Sequence, residues 1–195
     1  MKKILREYLP LALALLCMFA ARSTLADHYL VPSGSMERTL LPGDHVIVDK
    51  HAYGLRIPFT LYKLTPGSRP ARGEVVVFDS PVDGRRLIKR VVAVAGDLLE
   101  IRNGYVYVNG VHPGDARERD VENFGQRTAL LNLDSGGGPD VAPTRVPPGH
   151  VFVAGDARGN SADSRYFGFI AERAVYARAV AVFFRTRDGL VWQPL

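Results

Sequence analysis

Short β-branched runs, each closed by turn residues, constrain this chain more than any other feature. They are His45-Val46-Ile47-Val48-Asp49, Glu74-Val75-Val76-Val77-Phe78, Leu87 to Ala95, Leu98-Leu99-Glu100-Ile101, Tyr105-Val106-Tyr107-Val108, Val151-Phe152-Val153-Ala154 and Val175 to Phe184. Leu41-Pro42-Gly43-Asp44, Ser80-Pro81, Gly96-Asp97 and Arg102-Asn103-Gly104 punctuate them. Runs of this length suit half-buried or buried strands, and helical periodicity is nearly absent. Asn103-Gly104 between two runs is a hairpin signal, because a type I′ turn needs positive φ at both central residues. The expected fold class is all-β, a domain of coiled antiparallel β-sheets. Two stretches break the pattern. Tyr53 to Arg72 is rich in Pro, Gly and basic residues and reads as an irregular excursion. Residues 112–148 are polar, carry Gly136-Gly137-Gly138 and several prolines, and read as a long surface excursion.

The N-terminus has a different character. Lys2, Lys3 and Arg6 precede an apolar run from Leu9 to Ala21. A helix over that run covers about 20 Å, short of the roughly 30 Å hydrocarbon core. Extended through Arg22 to about Leu30 it would span the core, with Arg22 snorkelling or facing protein. A cleaved secretory signal, with Thr24-Leu25-Ala26 as a small-x-small site, fits the same residues. Under either reading the basic residues stay cytoplasmic and the remainder crosses the membrane. The expected division is a cytoplasmic tip and N-terminal transmembrane helix at 1–28 and an extracytoplasmic β-rich domain at 29–195. A chain of 195 residues has room for one such core plus an anchor.

Charge and cysteine use narrow the partners. The net charge of +5 favours an anionic surface. The basic residues are scattered and not interleaved with aromatics, so no nucleic-acid motif emerges and anionic lipid is the better match. The single cysteine, Cys17, lies in the apolar run and excludes an intramolecular disulfide.

Three segments carry side chains able to do chemistry. Pro32-Ser33-Gly34-Ser35-Met36 follows the apolar run. Proline biases Val31 towards extended backbone, and Gly34 permits a tight bend that projects the Ser35 hydroxyl beside that of Ser33. A serine nucleophile needs a base. The five histidines form no H-E-x-x-H pattern, and neither serine sits in G-x-S-x-G. Lysine remains, and it serves only if its pKa falls towards neutrality. In an extended Leu87-Ile88-Lys89-Arg90-Val91, Lys89 shares a face with Leu87 and Val91, where desolvation disfavours the ammonium. Arg90 points the other way and cannot be a base. The third segment, Gly155-Asp156 through Asn160-Ser161-Ala162-Asp163-Ser164-Arg165, reads as a turn held by Asx and Ser hydrogen bonds and Asp–Arg pairs.

In order and at plausible spacing, these segments resemble the bacterial type I signal peptidase (leader peptidase) family. The likeness covers nearly the whole chain, including Arg72-Gly73-Glu74-Val75-Val76-Val77-Phe78, Ile88-Lys89-Arg90-Val91 through Gly96-Asp97, and Gly168. It implies a serine endopeptidase that cleaves signal peptides from exported preproteins after small residues at −3 and −1. Ser35 aligns with the nucleophile and Lys89 with the general base. Ser33 aligns with the serine whose hydroxyl joins the Ser35 N–H in the oxyanion hole. Ser161 aligns with the serine that orients the lysine, with Asp156, Asp163 and Arg165 supporting it. Tyr29, Val31, Met36, Leu40, Leu87 and Ile88 fall where the family lines apolar substrate pockets. No metal or cofactor is implied. The implied location is the cytoplasmic membrane, with the N-terminus inside, the domain outside, and preproteins and the anionic bilayer surface as partners.

The chain departs from the family pattern at Arg38 and Ala95, where proline is usual, and at Ala157 and Gly159, where polar residues are usual. Arg38 is the one hint of an alternative, a specialised Ser–Lys peptidase dedicated to one secretion or conjugation system. A self-cleaving repressor on the same dyad conflicts with the translocated location and the lack of a DNA-binding segment. A non-enzymatic peptide-binding domain would leave the dyad idle.

Overall fold

The computed structural model describes residues 8–10, 15, 26–54, 64–65, 67–114 and 120–195. Residues 8–10 and 15 are helical. The rest of the expected 1–28 anchor before Ala26 lies outside the described residues, as do residues 55–63 and 66 of the 53–72 stretch. Among the described residues, no helix is long and apolar enough to cross a membrane.

Thirteen strands are described: β1 Ala26–Leu30, β2 Asp44–Asp49, β3 Val75–Asp79, β4 Arg86–Val94, β5 Leu98–Arg102, β6 Tyr105–Val108, β7 Val121–Phe124, β8 Arg127–Leu130, β9 Val141–Arg145, β10 His150–Ala154, β11 Ile170–Ala171, β12 Val175–Arg185 and β13 Gly189–Pro194. Eight of them form one sheet in the order β1-β2-β12-β3-β4-β10-β11, with β13 added on β12. A three-stranded sheet β6-β5-β9 and the hairpin β7-β8 complete the fold. Every pairing between named strands is antiparallel. The expected antiparallel β class is therefore observed.

The long strand β12 organises the main sheet. Its alternating burial, from Val175 through Val182, puts Ala177, Ala179 and Val182 on one buried face. Register shifts at Ala179/Ala181 and Val182/Phe184 bend it, and it leaves β3 after Arg178 to pair with β13 from Ala181 onward. Such bulges increase local twist and coil the sheet. The Asn103-Gly104 hairpin forms as expected, with φ of 50° and 85°, and Arg102 opposite Tyr105.

The segment 112–148 corrects the expectation of a surface excursion. It holds β7, β8 and β9, and it delivers Phe124, Ala129, Leu131 and Val146 to the core around Leu99, Ile101 and Phe152. It also buries a charge. Glu122 is fully buried, accepting from Val106 N–H at 2.8 Å and from Arg158 Nη2 at 2.7 Å. Arg158, equally buried, donates further to Gly155 O and Gly104 O. Polar composition concealed this, because the charges are cancelled by partners distant in sequence.

Removing one member of such a pair strands its partner in a low-dielectric interior. Glu122→Ala should destabilise the fold by roughly 3–5 kcal/mol, and a well-packed apolar double replacement of Glu122 and Arg158 by much less. Thermal unfolding of both variants measures the difference; equal losses would show that the pair is not what the site requires.

Candidate active site

Ser35 occupies a one-turn 3-10 segment, Gly34–Met36, directly after the β1 edge. Val31 extends the β1–β2 ladder, its N–H donating to Asp44 O and its carbonyl accepting from Gly43 N–H. Pro32 then leaves the sheet, and Met36 and Leu40 plug the core beside Val31, Val46 and Val48. The buried plugs on both sides fix the short exposed stretch between them. Asp44, itself fully buried, secures the far end by accepting two hydrogen bonds from Arg185, at 2.8 and 2.9 Å.

Lys89 lies mid-strand in β4, opposite Val76 of β3. Leu87 and Val91 share a cluster with Val76 and Val153, as the alternation required. At Lys89 itself β10 has ended, because its pairing with β4 stops at Ala154↔Arg90. Ser35 reaches the strand there. Lys89 Nζ donates to Ser35 Oγ at 2.5 Å, with both side chains buried. Burial pushes the lysine pKa down to about 8, outweighing the nearby Asp163 and Asp156 carboxylates, while Arg165 lowers it further. The lowered pKa makes the neutral amine more abundant near neutral pH, and only the neutral form can take a proton.

Ser33 Oγ donates to Ser35 Oγ at 3.4 Å, so the two hydroxyls share one spot as the serine motif predicts. Ser161 is also buried nearby, but its hydroxyl donates to Asp163 Oδ2 at 2.7 Å. Among the described residues no hydrogen bond joins Ser161 to Lys89. Asp163 caps the short helix α1, Ser164–Phe167, and accepts from Gly155 N–H and from Arg165. Burial raises its pKa, yet the bonds from Arg165, Gly155 and Ser161 overcome that and hold it below the usual carboxylate range.

Asp156 does something the sequence did not reveal. It is fully buried and chelated by Arg90, whose Nε and Nη2 lie 2.9 and 2.7 Å from its two oxygens. Thr39 Oγ1 donates to the same carboxylate at 2.5 Å, and Arg90 Nη1 donates to Gly73 O. Arg90 does face away from Lys89, but it is a tie between segments and not a solvated neighbour. The signal was available: an arginine one residue beyond Lys89 must face the opposite, equally covered side.

The expected pocket residues divide. Tyr29 and Ile88 are half-buried against the cluster of Val31, Met36 and Leu40. Leu87 lies on the other face of β4, against Tyr53 and Phe78. A cavity of about 670 Å³ beside Arg69, Arg72, Val94, Val108 and Phe124 includes none of these residues. Among the described residues, no group of three or more His, Cys, Asp or Glu is placed to hold a metal ion. Chemically, the site offers a hydroxyl in contact with an amine of lowered pKa, a second hydroxyl beside it, and buried carboxylates behind.

Residues 5–184 match the family described as signal peptidase, peptidase S26. Signal peptidase I of Pseudomonas aeruginosa is 34% identical over 89% of this chain and 70% of its own length. Probable signal peptidase I-1 of Synechocystis is 31% identical over 93% of this chain and 84% of its own. A crystal structure of a signal peptidase I from Enterococcus faecalis, 30% identical, superposes on 57% of this chain and 97% of that one with a TM-score of 0.41, too low to bear on the fold.

Gly155 is where three segments meet. A Cβ there would lie 2.3 Å from Ser161 Oγ and 2.4 Å from Ser35 O. Gly155→Ala should therefore displace the Ser35 backbone, destabilise the protein by about 1–3 kcal/mol and reduce Ser35 reactivity. Acylation of Ser35 by a serine-directed reagent, followed by mass spectrometry, reads the effect; unchanged labelling would show that the contact is not limiting.

Proposed function

The chain belongs to the signal peptidase family, peptidase S26, a family of serine proteases, and from that premise we propose that it removes signal peptides from exported preproteins by a Ser35–Lys89 dyad. The reading rests above all on one observation, the 2.5 Å contact between Lys89 Nζ and Ser35 Oγ in a buried setting. Neutral Lys89 accepts the hydroxyl proton as Ser35 Oγ attacks the carbonyl carbon of the scissile peptide. The oxyanion that forms accepts hydrogen bonds from the Ser33 hydroxyl and the Ser35 N–H. Collapse breaks the C–N bond, and the Lys89 ammonium returns its proton to the leaving amine. Water then loses a proton to Lys89, attacks the Ser35 ester, and releases the signal peptide with Ser35 restored.

The supporting groups act through position. Asp163, Arg165 and Ser161 brace Gly155 beside Ser35, and Asp156 with Arg90 fixes β4 against Thr39. Apolar side chains at Tyr29, Val31, Met36, Leu40 and Ile88 favour small residues at −3 and −1, while Leu87, on the other face of β4, takes no part. A charged side chain there would have to be desolvated or expelled. The residues before β1 serve as the membrane anchor, with Lys2, Lys3 and Arg6 on the cytoplasmic side, and the chain from Ala26 onward as the extracytoplasmic domain, because Ala26–His28, expected in the anchor, pair with β2 in the sheet. Tethering raises the effective concentration of enzyme at the membrane surface where preproteins emerge. The positive net charge suits an anionic bilayer surface.

Cleavage of a preprotein with Ala at −3 and −1 should rise with pH through about 8, because only unprotonated Lys89 accepts the proton. Ser35→Ala and Lys89→Arg should be inactive yet folded, since arginine keeps the charge but does not deprotonate. Substantial turnover by the arginine variant, with circular dichroism like wild type, would overturn the dyad. Ser33→Ala should keep KM and lose about 10²–10³ in kcat. An unchanged kcat would leave Ser33 as a turn residue only.

A further inference from the structure

Arg38, three residues after Ser35, has φ of +74°. The other described non-glycine residues with positive φ are Asn103 and Asn109, a residue type that tolerates the left-handed region. Arginine has no comparable local compensation, so its surroundings must hold it there. The turn depends on that conformation. Thr39 and Leu40 N–H both donate to Met36 O, at 3.1 and 2.7 Å, a reversal typical of a helical turn ended by a left-handed residue. It returns Thr39 to Asp156 and Leu40 to the core immediately after Ser35.

Two carboxylates grip Arg38 from outside. Nη1 lies 3.2 Å from Asp120 Oδ2 and Nη2 lies 3.7 Å from Asp134 Oδ1. Both acids belong to the segment that also supports the site from behind. Leu131 N–H donates to Asp120 O, Asn132 N–H to Asp156 O, and Arg158 N–H to Asn132 O. Between those last two, Ala157 N–H donates to Ser35 O at 3.2 Å. Glu37 adds a link by accepting from Asn132 Nδ2 at 3.4 Å. The 120–134 segment thus reaches the Ser35 loop through side chains at Glu37 and Arg38, and through Asn132 it also backs the loop whose Ala157 N–H meets Ser35 O.

We propose that Arg38 is a positioning residue for cleavage: Asp120 and Asp134 hold it in the left-handed turn that sets the Ser35 hydroxyl against Lys89. The proposal rests on the reading of Ser35 and Lys89 as the reacting pair. The two ion pairs are solvent-exposed, so salt weakens them. Glycine adopts positive φ unaided, so the two acids become dispensable once residue 38 is glycine; alanine has the same strain as arginine and no grip.

The test uses the full chain in detergent with the preprotein carrying Ala at −3 and −1. Variants are R38A, R38G, D120N/D134N and the triple R38G/D120N/D134N, each checked by circular dichroism and thermal unfolding. R38A should lose about ten-fold in kcat and D120N/D134N about three-fold, with KM within about two-fold. R38G should lose less than R38A, and the triple variant no more than R38G. Added salt should lower kcat of wild type but not of R38G. An asparagine pair that is silent with Arg38 present, or that costs as much in the R38G background, would overturn the proposal. Turnover by Ser35→Ala or Lys89→Arg in the same assay would instead remove the Ser35–Lys89 reading beneath it.

Discussion

The site hangs on a buried ion pair, Arg90 with Asp156. Each is taken wholly out of water, at a cost of several kcal/mol per ion that only close geometry and further hydrogen bonds can offset. Thr39 and the Gly73 carbonyl complete that set. The pair joins β4, the loop after β10 and the turn after Ser35. Lys89 and Gly155 are the immediate chain neighbours of its two members, so the tie that satisfies Arg90 also fixes where Lys89 and Ser35 can meet. The Glu122–Arg158 pair repeats the device one layer out, gripping the same loop from the 112–148 segment. Stability and chemistry are supplied here by the same contacts.

Lys89 lies on the face of β4 that carries Leu87 and Val91, opposite Val76, whereas Arg90 on the other face is held by the Asp156 carboxylate and the Thr39 hydroxyl. The desolvation that lowers the lysine pKa opposes the pull of Asp163 and Asp156, which are largely neutralised by Arg165 and Arg90. A carboxylate left unpaired in that layer would raise the pKa and keep the amine charged. The paired arginines thus help keep the Lys89 pKa low as well as holding the fold.

Much of this was legible in the chain. Local signals were reliable wherever a run was apolar enough to alternate, as in β4, the Asn103-Gly104 hairpin and the long β12. The serine, lysine and loop segments were visible as candidates, and their order carried the family likeness. The 112–148 segment was misread because its strands are short and polar. Glu122 looks like a surface residue until Arg158, thirty-six positions away, is known to face it. Ser161 was expected beside the lysine, and its hydroxyl donates to Asp163, a bond that no spacing encodes and that leaves its oxygen able to accept. Leu87 and Ile88 were both expected in the pockets from the family likeness, although neighbours in a strand face opposite ways.

Strand β12 has a consequence for the order of assembly. It lies between β2 and β3, so within the one sheet the β1-β2 pair before and after the Ser35 loop and the β3-β4 pair bearing Lys89 have no direct ladder between them. Ribosomes make the chain from its N-terminus, and β12 is the last strand but one. Until residues 175–185 emerge, the two halves can each collapse but cannot be registered against each other. Long-range closure of this kind carries the full loop entropy and is slow. A nascent chain therefore holds Ser35 and Lys89 without a common frame, and their contact waits on β12 joining β2 to β3.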